Sequence, residues 1–133
     1  MREYARQQTA ILLERLADRL GQAAKEVDAD AIHDVRVAIR RLSRCLRVFG
    51  QFYPDRSWKK LRRRLSGLMA AAGAVRDCDI ALELLRQAGL SQRVAIATRL
   101  KAERRKSGHA LHAEIKRWND RKLLHRWKAR LEV

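Results

Sequence analysis

Glycine and proline are scarce in this chain, with six Gly and one Pro in 133 residues. A β-sandwich or barrel needs a turn about every 8–12 residues, so this supply of turn formers excludes an all-β fold. Aromatic residues make up only 5%, which weighs against a surface that stacks single-stranded bases. The two cysteines, Cys45 and Cys78, show neither metal-type spacing nor a disulfide framework. No apolar run approaches the roughly 18 residues of a membrane span. The first twenty residues, MREYARQQTAILLERLADRL, scatter charge through their apolar stretch, unlike a signal peptide. Acidic side chains are the last shortage: 15 Asp+Glu stand against 31 Lys+Arg, a formal charge of +16.

What is present narrows the class. The apolar fraction is 47%, and its spacing is regular, which excludes a disordered basic tail. The length fits one domain with one core of modest size. The expectation is a soluble, cytoplasmic, all-helical basic protein. Its charge is unevenly placed. Residues 1–30 hold five basic and six acidic side chains, whereas residues 31–133 hold 26 and nine. Clustered excess cation destabilises a compact fold by self-repulsion unless an anion neutralises it, so a polyanionic partner is expected.

Apolar periodicity places the helices. A first helix runs from residue 3 to about 26, with Ala5, Leu12, Leu13, Leu16, Leu20, Ala23 and Val27 on one face. Asp28 and Asp30 are good N-caps for a second, which extends to about Phe52 with Ile32, Val35, Ile39, Leu42, Leu46 and Phe49 as its core stripe. Tyr53-Pro54-Asp55 is a turn that launches a third helix, with Trp58, Leu61, Leu65, Leu68 and Ala72 inward. Gly73 is expected to interrupt it. A fourth helix then carries Ile80, Ala81, Leu84, Leu85 and Ala88 inward and ends at the turn Gly89-Leu90-Ser91. A fifth spans about Gln92 to Trp118, and Asn119-Asp120 cap a short last helix with Leu123, Leu124, Trp127 and Leu131. Loops of about two to five residues imply antiparallel neighbours, so the predicted architecture is an up-and-down bundle of five to six helices with one basic face.

The second helix carries that face. At 100° per residue, His33, Arg36, Arg40, Arg44 and Arg47 share a strip about 80° wide and about 20 Å long, well away from the apolar stripe, with Arg41 beside it. Asp34 alone is placed to neutralise the segment, and like charges at i,i+4 oppose the helix. A helix selected only for structure would intersperse Glu. Arg also presents a planar fork suited to phosphate oxygens. The third helix adds Arg56, Lys59, Lys60, Arg62, Arg63 and Arg64, of which Lys59, Arg62 and Arg63 face away from the core while Lys60 and Arg64 flank its other side. On the fifth, Lys101, Arg104, Arg105, Gly108 and His112 again fall on one strip. Convergence of the three faces would make a positive groove.

Other chemistry has less support. His109 and His112 stand at i,i+3, a spacing that chelates, but Glu114 lies on another face and no Glu-x-x-His repeat is present. Cationic neighbours disfavour a divalent metal, so no metal or cofactor is expected. His33 is better placed to donate to an anion. Asp77 is expected to cap the fourth helix, with Arg76 paired to it or reaching the groove. No carboxylate pair, nucleophile elbow or phosphate-cradling Gly loop points to catalysis, so the protein is expected not to be an enzyme.

The segment AIHDVRVAIRRLSRCLRVF resembles the signature of the CHAD family, the conserved histidine α-helical domain, through His33, Arg36, Val37, Arg40, Arg41 and Leu42, with Ser43 in place of a usual basic residue. Downstream, LRRRLSGLMAAAGAVRDCDIALELL is similar to the family's Leu-rich helix ending in Gly-x-x-Arg-Asp, here Gly73, Arg76 and Asp77. The resemblance is traceable over about residues 4–131. It implies an all-helical fold that binds inorganic polyphosphate through His33, Arg36, Arg40, Arg41, Arg44 and Arg47, assisted by the third-helix cluster. Association with polyphosphate granules is a corollary. A hydrolase role is not implied, because the carboxylate-rich β-barrel fused to some members has no counterpart in these residues. The family domain usually contains two similar halves around a basic cleft, and residues 1–133 correspond to about one, which leaves two expectations: a half-length protein whose homodimer completes the cleft, or a truncated chain. The alternative is a module that binds RNA or DNA phosphates without sequence preference. A helical scaffold for protein partners, the third class, would need a large exposed apolar patch.

Overall fold

The computed structural model describes residues 1–90 and 94–133, apart from the side chain of Arg121. Five α-helices are present among the described residues: α1 (Arg2–Lys25), α2 (Ala29–Val48), α3 (Ser57–Gln87), α4 (Ala95–Trp118) and α5 (Arg121–Leu131). No strand occurs among the described residues. The chain is an all-α bundle.

Each boundary has a local cause. Asp28 caps α2 by accepting the Ala31 N–H at 2.8 Å, and Asp120 caps α5 by accepting that of Lys122 at 2.9 Å; both satisfy donors that a helix start leaves orphaned. The second helix is shorter than expected. It stops at Val48, and Gly50–Phe52 form a 3₁₀ turn instead. Gly50 is buried there, and a Cβ built on it would lie 2.7 Å from Cζ2 of Trp58, so the backbone turns directly beneath the indole. Asp55 accepts the Ser57 N–H at 2.6 Å and opens α3. Hydrogen bonding by Ser57 also holds the Asp55 carboxyl below its ordinary range.

The expected break at Gly73 does not occur, because α3 runs unbroken through it to Gln87. Glycine in a helix interior costs roughly 0.5–1 kcal/mol relative to Ala, which a packed helix absorbs. Asp77 is consequently a mid-helix residue and caps nothing. The real end is at Gly89, with φ +73°, where Gly89 N–H bonds Arg86 and Leu90 N–H bonds Leu85. That pair of bonds is a Schellman motif, which favours Gly at the left-handed position. Ser91 and Gln92, assigned above to the turn and to the next helix, lie outside the described residues.

The helices pack in a ring: α1 on α2, α2 on α3, α3 on α4 and α4 on α1, with α5 laid against α1 and α3. Thus α2 and α4 stand at opposite corners. The core contains Leu13, Leu16, Leu20, Ile32, Val35, Ile39, Leu42, Leu46, Leu61, Leu65, Leu68, Leu111 and Ile115, joined by Trp127 and Leu131 of α5. Burying one such Leu or Ile side chain contributes about 1.5–3 kcal/mol. Trp127 also lies under the Arg64 and Arg130 guanidiniums at 5.9 and 5.1 Å. Arg64 is thereby turned toward α5, on the far side of α3 from Arg62.

Two features were not foreseen. Thr9, counted in no stripe, is fully buried on α1. Its hydroxyl donates to the Ala5 carbonyl at 2.7 Å and lies 2.6 Å from the Tyr53 hydroxyl and 3.5 Å from Cys45 Sγ. Thr9 has a single proton, so the Tyr53 hydroxyl donates to it, which ties the α2–α3 connection to α1. The second is the far end of α3. Ile80 and Leu84, expected inward, are 41% and 59% exposed. A helix of 31 residues is about 46 Å long at 1.5 Å per residue, and α2 of 20 residues about 30 Å. Beyond Val75 no α3 side chain is fully buried, because α3 outruns α2.

Candidate functional site

The second helix turns Ile32, Val35, Ile39, Leu42 and Leu46 into the core. One wide apolar stripe on a 3.6-residue helix forces the opposite face into solvent, and His33, Arg40, Arg41, Arg44 and Arg47 are exposed there. Arg36, at the margin of the strip, is half-buried. None of the six forms an ion pair among the described residues, and the nearby acid, Asp34, is 3.9 Å from Arg19 of α1.

Two grooves flank the crest of α2. On the α3 side, Arg40, Ser43, Arg44 and Arg47 face Arg62, Ser66 and Met69 across a groove of about 240 Å³. A second hollow of about 500 Å³ is lined by Arg56, Trp58, Lys59, Arg62, Arg63 and Ser66. Arg62 and Ser66 belong to both, so they form one trough. Seven cations, six from α2 and α3 and Arg56 just before α3, line it, with no carboxylate. Trp58 holds the Lys59 ammonium at 5.6 Å from its ring. Among residues 36–64 the sole acid is Asp55, already committed to Ser57.

Two donors in this region are unsatisfied. The Nε–H groups of Arg36 and Arg62 are buried and have no hydrogen-bond partner. A buried donor without an acceptor costs about 1–3 kcal/mol. Chemically, the trough offers guanidinium forks and ammonium groups to an extended anion. Beside them stand the hydroxyls of Ser43 and Ser66.

On the α1 side of the crest lie His33 and Arg41, in a groove of about 610 Å³ that also takes in Arg15 and Arg19 of α1. The wheel places His33 on one strip with Arg36–Arg47, yet in three dimensions it opens toward α1. Arg15 and Arg19 were missed because Glu14 and Asp18 cancel their charge in any sum over the first helix. The mixed groove between α1 and α5, about 850 Å³, contains both those acids beside Arg15, Arg19 and Lys25.

The fifth-helix strip of the sequence is carried by α4, at the corner opposite α2. Lys101, Arg105 and His112 therefore line none of the grooves beside α2. Arg104 turns to α3 and donates through Nε to Asp79 at 2.8 Å. The missing Cβ of Gly108 makes room for it, since one built there would be 2.8 Å from Arg104 Nη1. Arg76 is exposed about four turns along α3 from Arg62, and it also lies outside the trough. The structure thus joins the second- and third-helix clusters and leaves the α4 cluster apart. Among the described residues, no group of three or more His, Cys, Asp or Glu side chains could hold a metal ion. No helix among them is long and apolar enough to cross a membrane.

Fold and site together define a class: an all-helical bundle whose α2–α3 face is lined by arginine and lysine with no acid to neutralise them. The CHAD domain matches residues 7–133, essentially the whole chain, and the chain belongs to that family. No curated protein and no solved structure matches it.

Proposed function

We propose that this CHAD-family chain binds inorganic polyphosphate in the α2–α3 trough and performs no catalysis on it. The observation that carries this reading is the unneutralised set Arg40, Arg44, Arg47, Arg56, Lys59, Arg62 and Arg63 along one trough. Bidentate guanidinium contacts suit the repeated oxygens of a phosphate chain. A nucleic-acid backbone offers the same charge at wider spacing, and its binding would be non-specific. A homodimer that makes the trough two-sided belongs to the same proposal. Competition tests the ligand: bound polyphosphate resists excess tRNA and duplex DNA at equal phosphate concentration. Displacement by tRNA would establish the nucleic-acid reading instead. Sedimentation with and without polyphosphate tests the dimer.

A further inference from the structure

We infer that the groove between α1 and α2 is a second phosphate-binding site, separate from the α2–α3 trough and built on Arg15 and Arg41. That phosphate is the ligand rests on the polyphosphate reading above; the position of the site does not.

The geometry follows from the antiparallel register. Arg19 of α1 stands level with Asp34 of α2, at 3.9 Å. Four residues back along α1 lies Arg15, which is level with Ala38, four residues forward along α2. Arg41 is three residues further, about 4.5 Å along the axis at 1.5 Å per residue. Arg15 therefore sits between Arg19 and Arg41 along one groove, over the buried Ala38. His33 closes the end near Arg19. Three arginines face a single carboxylate, and that carboxylate is taken by one of them. Asp34 holds Arg19 across the groove, which leaves Arg15 and Arg41 without an ion-pair partner among the described residues.

Two further observations mark this as a site distinct from the trough. Arg41 is rotated about 100° from Arg40 around α2, so the two point to opposite sides of the crest, and no residue is shared between the linings of this groove and of the trough. The volume, about 610 Å³, is within the range of small-molecule sites. A short oligophosphate fits such a space, whereas a continuous long chain in the trough would have to cross the α2 crest to reach it.

Calorimetric titration with tripolyphosphate tests this on the whole chain. The wild type is expected to bind two equivalents. Arg15→Gln with Arg41→Gln is expected to retain one equivalent at unchanged affinity and to weaken the other at least tenfold. Arg44→Gln with Arg62→Gln is expected to show the converse. If the Arg15/Arg41 variant titrates like the wild type, the second site is refuted while the trough reading stands. If the Arg44/Arg62 variant titrates like the wild type and the first variant does not, the trough reading fails and the second site stands. A wild type that binds one equivalent, weakened in both variants, would make the grooves one site and overturn their separation. Circular dichroism of each variant confirms folding, since neither pair touches the Arg19–Asp34 contact or the core.

Discussion

Replacing Arg40 with Gln should stabilise the fold and weaken ligand binding. Arg40 is exposed, forms no ion pair among the described residues, and has Arg36 and Arg44 at i−4 and i+4. Each like-charge pair at that spacing costs about 0.2–0.5 kcal/mol, and Gln matches Arg closely in helix propensity. Removing two pairs therefore contributes about 0.4–1 kcal/mol. For a domain of this size that raises Tm by about 1–4 °C. Thermal unfolding at low ionic strength measures it, and the gain should shrink as salt screens the exposed charges. In the same variant polyphosphate affinity should fall. Opposite signs for stability and binding are what a functional cation predicts, since a structural arginine loses both. A lower Tm for R40Q at low salt would refute the account, because it would mean that Arg40 holds the fold together.

Other outcomes follow from the packing. Gly50→Ala places a methyl 2.7 Å from the Trp58 ring and should cost about 1–3 kcal/mol by overpacking, whereas Gly73→Ala meets nothing within 4 Å and should stabilise by about 0.5–1 kcal/mol; chemical denaturation of the two variants checks the contrast. Burial pushes the Tyr53 phenol above its ordinary value of 10.0, with the Thr9 hydrogen bond opposing. The folded state then holds the proton more tightly than the unfolded one. The associated stability is complete below the ordinary value and is lost as pH rises above it. Tyr53→Phe should cost about 1 kcal/mol at neutral pH and remove that part of the alkaline loss, as read from denaturant midpoints at pH 7 and above 10.

The fold was legible where periodicity was clean. The α2 stripe from Ile32 to Leu46 is buried as its spacing predicts, and Asp28 and Asp120 cap the helices expected of them. Gly73 misled because glycine weakens a helix locally without ending one held by neighbours, and the fourth predicted helix proved to be the second half of α3. Ile80 and Leu84 misled for a related reason: periodicity marks which side chains share a face, and only length against neighbouring helices decides whether that face is covered. The site was half legible. A helical wheel finds Arg40, Arg44 and Arg47 together, but it cannot show that Arg62 meets them, that His33 opens toward α1, or that Arg104 is spent on Asp79. Those facts depend on which helices are neighbours. Arg15 and Arg19 were hidden by charge summation, which discards the face each charge occupies.

The most direct measurement is the affinity for polyphosphate, in excess tRNA, of the wild type and of a variant with Arg40, Arg44 and Arg62 changed to Gln. Three charge-assisted contacts at about 1 kcal/mol each correspond to about a 100-fold loss, with helicity unchanged. Equal affinities for the two proteins would contradict polyphosphate binding in the α2–α3 trough.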